Sequence, residues 1–580
     1  MHYLRMLTNA ATGGVLVATY LFVLVLQLNP QVSLPSETAG GWFVALLSLY
    51  GPVLGLGLFF LLVARELLGT VALRPAWLSL RLLAWLGAFG AAGAAVVTWA
   101  NLEAFRAILT EGAAERMRQG AVATTVSAAV LFIIALLRYS FGRRGTRPMA
   151  VLLSVTLVLS LVTPLGLRGL GELAVPADRR TRPARAAGSG PRVRLVLLDG
   201  ASLGFIRQRV AVGRLPTFAR LLDQGASIDL ATLRPTQAAP VWAAAATGKL
   251  PPKNGVRSAA VYEVAADEPD PVSLLPNHVF AGSLVQQQFV RQSAVTAASL
   301  TARPLWAILA DHGLAAGIVG WPLTYPARTD RGYIVSDRFD ESASSPLRLD
   351  DSNAAEPTNA IAAARELFDD WLARPWQDVV TAVSADEAEP AGLMPARWDQ
   401  AYAATAARLE GQFSPRLMAL RLEGLASFGH AHLQDAQPTL FGQVRSEGPQ
   451  PPVLDRYYAR VDELIGTEVN RLAPGDLLLV VSGFGMAPTP LPARLVARLL
   501  GRPPLGGTHD SAPDGFLIAY GTQAATGTFR RGSIVDLVPT VLYYLGLRVG
   551  RDMDGFARTD LFLPVFTRDR PVAYVATHER

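Results

Sequence analysis

The side chains best suited to chemistry in this 580-residue chain are one aspartate and a few histidines that lie far apart in the sequence. Asp199 follows an apolar run of strand length, which places its carboxylate at the edge where open α/β sheets collect ligands. His430 and His432 form a His-x-His pair, and His509 directly precedes Asp510. Carboxylates and imidazoles suit zinc-like ions, and an imidazole beside a carboxylate can act as a general base.

Each of these residues also has a purely structural interpretation. Asp199 precedes Gly200 and can cap the turn or helix that follows. His430 and His432 can be solvated loop histidines, and His509 can make an ordinary hydrogen bond within its loop. The residues alone leave both interpretations open.

The front of the chain predicts a membrane domain. Five windows carry no charged residue, and each has about the roughly 20 residues that cross a bilayer core. They are Ala11–Leu28, Gly41–Ala64, Leu82–Leu102, Gly120–Leu137 and Pro148–Leu167. None contains an ionisable residue that would mark an intramembrane pathway, which disfavours a transporter. We therefore predict a five-helix transmembrane domain over residues 1–168.

Arginines in the short loops predict the orientation of these spans. Arg5 precedes the first span and the loop 29–40 has no Lys or Arg, whereas the second and fourth loops are rich in arginine. Under the positive-inside rule this places the N-terminus in the cytoplasm. An odd number of spans then places the remainder of the chain outside. The expected location is the plasma (cytoplasmic) membrane, as a multi-pass protein with an extracytoplasmic C-terminal domain.

Residues 192–580 predict an α/β domain, joined to the spans by a Gly/Ala/Pro/Arg-rich flexible linker over 169–191. Strand-like runs alternate with helical patterns, which is typical of a mainly parallel sheet sandwiched between helices. The regions 340–395 and 434–452 look like surface insertions. The predicted strands are Val193–Leu198, Ala316–Val319, Leu417–Leu422, Leu477–Ser482 and Phe516–Tyr520.

Composition excludes several classes of chemistry. The chain has no cysteine, so a disulfide framework, a thiolate zinc site and a cysteine nucleophile are impossible. The net charge of +6 comes largely from arginines in the membrane loops and the linker. Juxtamembrane arginines favour membrane lipids as partners. The sequence has no basic patch with interleaved aromatic residues, which is the pattern that would indicate nucleic-acid binding. We therefore expect no nucleic-acid partner.

Several motifs in order resemble the alkaline phosphatase superfamily, in its type I phosphodiesterase/nucleotide pyrophosphatase branch. The resemblance extends from Arg192 to about Leu563. Any one motif is weak, but their shared order indicates a shared fold, an alkaline phosphatase-like sheet between helices. The motifs contain Asp199-Gly200, Thr247-Gly248, Gly429-His430, Ser482-Gly483-Phe484, Gly507-Thr508-His509 and Asp552-Met553-Asp554-Gly555.

The resemblance implies a site with two cations and a hydroxyl nucleophile for phosphoryl chemistry. It implies that Asp199, His430 and His509 are the retained metal ligands, with zinc or manganese as the cofactor. The nucleophile position falls on Ala238, which has no oxygen, so the nearby Thr236 is the substitute catalytic candidate. The family's other carboxylate and histidine positions are occupied by Ala426, Gly483 and Phe484.

Two functions follow from this pattern. The first is a membrane-anchored phosphodiesterase or phosphoryl transferase that acts on a lipid- or glycan-linked phosphoryl ligand of the envelope, with standard two-metal catalysis in doubt. The layout also resembles phosphoethanolamine transferases and lipoteichoic acid synthases. The alternative is a catalytically inactive relative that binds an envelope ligand or serves as a scaffold. Asn254 and Phe484 are the candidate substrate-binding residues.

Overall fold

The computed structural model describes residues 2–69, 76–77, 79–140, 147–171, 190–265, 271–276, 278–340, 351–382, 387–443, 451–499, 505–510 and 512–579. Two compact units emerge from the contacts. The first comprises Met1–Pro176 and Ala260–Ala294, and the second comprises Ala177–Ala259 and Val295–Arg580. Most of the predicted linker 169–191 lies outside the described residues, so its flexibility stays a prediction.

Long apolar helices build the first unit, because their sequences are rich in Ala and Leu, which favour helix, and a helix satisfies its backbone N–H and C=O groups internally. Five described helices are long and apolar enough to cross a membrane, as the sequence predicts. Small residues bring α1 and α2 close together, since a Cβ at Gly14 would overlap the carbonyl oxygen of Gly51. The helices are α1 (His2–Leu28), α2 (Glu37–Leu68), α3 (Leu80–Phe105), α4 (Glu111–Ser140) and α5 (Arg147–Arg168).

A segment from the later part of the chain also belongs to this first unit. It contains β3 (Ala260–Glu263), α10 (His278–Gln286) and β4 (Arg291–Ala294), of which β3 and β4 pair antiparallel. Asn29, just beyond α1, donates through Nδ2 to Leu274 O at 2.6 Å and accepts through Oδ1 from Leu274 N at 3.1 Å. Residues 260–294 thus lie within the predicted outer domain in sequence but pack with the apolar helices.

Among the described residues, the second unit is organised around a ten-stranded mixed sheet in the order β13-β2-β12-β9-β1-β8-β5-β6-β7, with β14 beside β2. The central strands β9, β1, β8, β5 and β6 are parallel, and β12 is antiparallel to both of its neighbours. The sheet strands are β1 (Val193–Leu198), β2 (Ala226–Ala231), β5 (Ala316–Val319), β6 (Gly332–Val335), β7 (Ala355–Glu356), β8 (Leu417–Leu422), β9 (Leu477–Phe484), β12 (Asp514–Tyr520), β13 (Gly527–Thr528) and β14 (Gly532–Ser533). Short pairs outside it are formed by β10 (Ala487–Pro488) with β11 (Gly507–Thr508) and by β15 (Val549–Gly550) with β16 (Tyr574–Val575).

Helices cover both faces of the sheet because alternate strand residues point to opposite sides. Val196 and Leu198 of β1 join one core, and Leu195 and Leu197 join the other. The helices are α6 (Leu203–Ala211), α7 (Pro216–Gln224), α8 (Ala238–Thr247), α9 (Pro251–Asn254), α11 (Leu305–Asp311), α12 (Thr358–Ala373), α13 (Leu393–Phe413), α14 (Gly424–Ala436), α15 (Val453–Asn470), α16 (Leu491–Leu499), α17 (Leu537–Tyr544) and α18 (Pro564–Thr567). The predicted α/β sheet between helices is confirmed.

One buried carboxylate allows a test of how the second unit is held together. Asp462 of α15 accepts from Thr217 N at 2.9 Å and from Phe218 N at 2.7 Å, so it caps the first turn of α7 from outside that helix. We expect Asp462→Ala to lower the free energy of unfolding by about 1–2 kcal/mol, because two helix-terminal N–H groups lose their acceptors. The control is Asp223→Ala, at an exposed position of α7. It should change the free energy of unfolding by about 0.5 kcal/mol or less. Equal effects of the two substitutions, measured by denaturant unfolding of the full chain, would contradict the capping role.

Candidate functional site

The site forms where β1 and β8 end side by side. The two strands are parallel with Leu198 opposite Leu422, so Asp199 and the end of β8 meet at one edge of the sheet. Arg421 Nη2 lies 2.5 Å from Asp199 Oδ2, and its Nε lies 3.2 Å from both carboxylate oxygens. The indole Nε1 of Trp242 donates to Asp199 Oδ1 at 2.7 Å. A guanidinium and an indole therefore satisfy the carboxylate that the sequence assigns to a metal.

Burial strengthens this ion pair. The side chains of Arg421 and Asp199 are 10% and 2% exposed, and Arg421 Nη1 also lies 3.1 Å from Glu423. Burial alone would lower the pKa of Arg421, but the charges of Asp199 and Glu423 outweigh it and raise that pKa well above its ordinary value. The guanidinium therefore remains charged and supplies the positive charge that Asp199 requires.

The space for the family's lost carboxylate is also filled. A Cβ at Gly483 would lie 2.5 Å from Val241 Cγ1 and 3.5 Å from Trp242, so a larger side chain at this position requires Val241 to shift. At the other lost carboxylate position, Ala426 lies close to Gly200, where a Cβ would lie 2.9 Å from Ala426 Cα. Among the described residues, no group of three or more His, Cys, Asp or Glu side chains could hold a metal ion. The residues present do not fit the two-metal set that the resemblance implies.

The two predicted histidine ligands do come together, but they do so without Asp199. The rings of His430 and His509 are 5.2 Å apart between centroids, and Phe484 is 5.2 Å from His509. His430 Nδ1 bonds to Gly507 O at 2.8 Å, and His509 Nδ1 bonds to Thr236 O at 3.0 Å. Each ring therefore has only Nε2 left for a further partner. Burial, and then the neighbouring His509, lower the pKa of His430, which favours its neutral form.

Met486 fills space beside these histidines. Its side chain is packed against three glycines, since a Cβ added at Gly200 or Gly429 would lie 3.1–3.2 Å from it and one at Gly507 would lie 2.9 Å away. Met486 itself is buried, at 8% exposure. An apolar side chain therefore occupies the region between the end of β1 and the loop that carries His509.

The remaining predicted site residues are engaged in local structure. Thr236 is fully buried and its hydroxyl donates to Leu233 O at 2.9 Å. Asn254 donates to Lys249 O at 2.8 Å and accepts from Val256 N at 2.9 Å, which closes the turn after α9. Phe484 is 1% exposed. Their catalytic and substrate-binding roles remain predictions.

The sequence interpretation missed the roles of Arg421 and Trp242. One signal was present, because Arg421 is the single charged residue in the apolar run Leu417–Leu422. A charge in a buried strand is rarely tolerated without a partner of opposite sign. Trp242 gave no comparable signal, since a tryptophan in an alanine-rich helix is as readily explained by packing.

A cavity opens at the same edge of the sheet, on the side of β5 and β6. It is open to solvent and has room for about one water molecule, and Arg421 forms part of its wall. Asp399 closes one side by accepting from the backbone N of Glu423 and Gly424 and from the Tyr457 hydroxyl. Burial raises the pKa of Asp399 to about 7 even though these donors lower it. The lining residues are Gly320, Asp337, Asp340, Pro395, Trp398, Asp399, Tyr402, Arg421 and Glu423.

Comparison with known families identifies the class. Residues 193–502, more than half of the chain, match the family model "Type I phosphodiesterase / nucleotide pyrophosphatase". The chain therefore belongs to the type I phosphodiesterase/nucleotide pyrophosphatase family, with five apolar helices that precede the family domain. Members of this family usually use divalent metal ions such as zinc. No curated protein sequence matches the chain.

Solved structures of related proteins show distant similarity. An inactive variant of murine ectonucleotide pyrophosphatase/phosphodiesterase 5 in complex with AMP is 13% identical, covers 64% of this chain and 100% of its own, and gives a TM-score of 0.37. The human protein of the same name is 12% identical, covers 64% of this chain and 99% of its own, and gives a TM-score of 0.37. A quadruple mutant of the alkaline phosphatase PafA is 12% identical, covers 65% of this chain and 100% of its own, and gives a TM-score of 0.41. The family assignment rests on the family model alone.

Proposed function

We propose that this protein is a catalytically inactive member of its family, anchored in a membrane, which acts by binding a ligand. The observation that carries this proposal is the Arg421 guanidinium held against Asp199 at 2.5 Å. A fixed cation of this kind neutralises the carboxylate but offers no open coordination position and cannot activate a hydroxyl group. Because Arg421 pairs with Asp199, the residue at this metal-ligand position of the family is one half of a structural ion pair here.

The nucleophile position supports the same conclusion. Ala238 begins α8, where the family places its hydroxyl, and the nearest hydroxyl, Thr236, already donates to Leu233 O. A nucleophile requires a base or a metal to remove its proton. Neither Asp199 nor the His430–His509 pair shares a described hydrogen bond with the Thr236 hydroxyl.

The membrane helices support the location and the ligand class. Arginine placement favours an extracytoplasmic position for the family domain. Tethering would keep that domain within reach of lipid- or glycan-linked phosphoryl groups of the envelope, which we propose as the ligand class. Membrane lipids are then the second partner, through the apolar helices themselves.

The paired histidines support a second candidate, a phosphodiesterase that relies on His430 and His509 alone. The two rings are adjacent and each keeps Nε2 for a further interaction. Two imidazoles fall short of the three protein ligands that a catalytic zinc ion usually has. We therefore favour the inactive protein.

Turnover of an aryl phosphodiester separates these two functions. We expect the purified full chain, in detergent with added zinc or manganese, to hydrolyse bis(p-nitrophenyl) phosphate no faster than a His430→Ala/His509→Ala double variant. The physical reason is the absence of an activated hydroxyl beside an open cation. The release of p-nitrophenol is measured by absorbance. A rate clearly above that of the double variant would refute the inactive assignment and establish histidine-dependent hydrolysis.

A further inference from the structure

We propose that α16 and its neighbours in the second unit form a surface that docks on an anionic lipid membrane. This inference rests on the membrane anchoring in the proposed function and goes beyond it, because it assigns a membrane contact to the family domain itself. The leucine–arginine surface consists of Leu491, Arg494, Leu495 and Arg498 of α16, with Leu440 and Leu505 beside them.

The helix α16 lies on the surface of the second unit with its leucines outward. Leu491 and Leu495 are four residues apart, so they share one face of the helix, and they are 65% and 57% exposed. No described residue of α16 is buried. A surface helix of a soluble domain normally turns its apolar face towards the core. The outward leucines therefore indicate a partner outside the domain.

Two further exposed leucines extend this face. The O of Gly506 accepts from the backbone N two residues before α16 at 3.1 Å, so Leu505 lies next to the start of the helix. The Arg494 guanidinium lies 5.2 Å from the centre of the Phe441 ring, so Leu440 lies next to a residue that contacts the helix. Among the described residues of the second unit, five leucines are exposed, and four of them belong to this surface. Exposed apolar side chains that cluster in this way mark protein or membrane contacts.

The surface is positively charged. Residues 486–509 contain three arginines and neither Asp nor Glu. Arg498 is three residues beyond Leu495, so its guanidinium flanks the exposed leucines. The Nε of Arg494 has no hydrogen-bond partner within the described part of the chain. Anionic head groups would supply the charge that these guanidinium groups lack, while the leucines enter the boundary between head groups and acyl chains.

Charge favours a lipid surface over a second copy of the chain. In a symmetric dimer the same surface would face itself, so arginines would meet arginines without carboxylates of the surface between them. The chain also carries five described helices that are long and apolar enough to cross a membrane, so a bilayer is a partner that it meets wherever it is anchored. Short helices that expose leucines and arginines together are typical of the lipid–water interface.

Docking would also bring the paired histidines close to lipid head groups. Gly506 N donates to His430 O at 2.7 Å, and the short strand β11 leads from Leu505 to His509. The leucine–arginine surface therefore adjoins the edge of the second unit that carries both rings. A lipid-linked phosphoryl ligand would then reach this edge without leaving the membrane.

Spin labelling of the full chain tests this docking. The chain has no cysteine, so Leu491→Cys gives a single labelling site, and the apolar nitroxide replaces the leucine. The protein is reconstituted in nanodiscs of phosphatidylcholine, with or without phosphatidylglycerol. The accessibility of the label to oxygen, which enters lipid, is compared with its accessibility to a water-soluble nickel complex. We expect oxygen accessibility to exceed nickel accessibility in the anionic discs, and their ratio to fall in the neutral discs.

Variants that carry the same label separate charge from apolar contact. Arg498→Gln should lower the ratio of docked to free domain about fivefold in anionic discs, the contribution of one arginine near an anionic surface. Leu495→Ser should lower this ratio about tenfold, because an apolar side chain no longer enters lipid. Both positions are exposed, so the fold is expected to be retained. The matched control, Arg207→Gln at an exposed position of α6, should leave the ratio unchanged.

Two reference labels define the scale of the measurement. Asp223→Cys, at an exposed position of α7, should report water, and Phe60→Cys, at an exposed position of α2, should report lipid. The proposal is overturned if the Leu491→Cys label in anionic discs is as accessible to nickel as the Asp223→Cys label. It is also overturned if that label is shielded from both reagents, as a second copy would cause, or if neutral and anionic discs give the same ratio.

Failure of this inference can be distinguished from failure of the proposed function. A Phe60→Cys label that reports water would overturn the membrane anchoring and this inference with it. A Phe60→Cys label in lipid together with a Leu491→Cys label in water removes only the docking surface. Phosphodiester turnover that depends on His430 and His509 removes the inactive assignment, whatever the labels show.

Discussion

Replacing Arg421 by methionine is expected to lower the free energy of unfolding of the second unit by about 3–5 kcal/mol, the range typical when one partner of a buried ion pair is removed. Methionine fills a similar volume but leaves Asp199, at 2% side-chain exposure, without its positive partner. The Trp242 hydrogen bond at 2.7 Å would be the remaining described side-chain interaction of that carboxylate. Denaturant unfolding of the full chain, monitored by tryptophan fluorescence, measures the loss.

Two controls isolate the role of charge at this site. The Asp199→Asn/Arg421→Met double variant should recover part of the lost stability, because no unpaired charge remains. Arg408→Met removes an exposed guanidinium that pairs with Glu366 at 3.1 Å, and should cost at most about 1 kcal/mol. If Arg421→Met were as stable as the parent chain, the ion pair would not be the structural replacement for a metal that we infer.

Restoring the lost carboxylate at position 483 is expected to destabilise the protein rather than to rebuild a metal site. A Cβ at Gly483 would lie 2.5 Å from Val241 Cγ1, and the carboxylate would enter a strand whose residues are all buried. Overpacking and an unpaired buried charge together should cost about 4 kcal/mol or more. Added zinc should not restore stability to Gly483→Asp, because Trp242 occupies the adjacent space.

Matched glycine variants separate the causes of this effect. Gly483→Ala introduces the steric conflict without the charge and should cost about 1–3 kcal/mol. Gly204→Asp places the same side chain at an exposed position of α6 where a Cβ meets no atom within 4 Å, and should be close to neutral. A Gly483→Asp variant that gains stability on addition of zinc would show that the site still accommodates a cation.

Much of the fold could be predicted from the sequence, because the elements that define it have strong local patterns. The five apolar windows match five long helices, and the predicted strands Val193–Leu198, Ala316–Val319 and Leu417–Leu422 agree with the structure at both ends. The strand β2 was missed, since Ala226–Ala231 mixes polar and small residues and gains its strand conformation by pairing with β12. Local pattern carries no information about such a partner.

Two other differences arise from tertiary packing. The Asp- and Ala-rich composition of 340–395 predicts a surface insertion. Within it, α12 extends over Thr358–Ala373 and buries Phe368 in the core. Likewise, the packing of 260–294 with the apolar helices includes hydrogen bonds between Asn29 and residues 273 and 274, which lie more than 240 residues away in sequence. Contacts at such separation leave no periodic trace in the sequence.

The candidate site could be predicted only in part. The order of the family motifs identifies Asp199, His430 and His509 as retained residues, and it also identifies the positions at which the other metal ligands and the nucleophile are replaced. Together these make standard two-metal catalysis improbable. What occupies the vacated space could not be inferred, because the pairing of Arg421 with Asp199 depends on the register of β1 against β8. The small cavity beside Arg421 could not be inferred for the same reason, since its lining comes from one helix and from the carboxyl ends of three strands.

The metal content of the purified full chain tests the central claim most directly. Elemental analysis after incubation with zinc or manganese and removal of unbound ions gives the number of bound ions per chain. We predict less than one equivalent, and no change on Asp199→Asn, because the Arg421 guanidinium already neutralises that carboxylate. One or two tightly bound ions that are lost on Asp199→Asn or on His430→Ala would contradict the account.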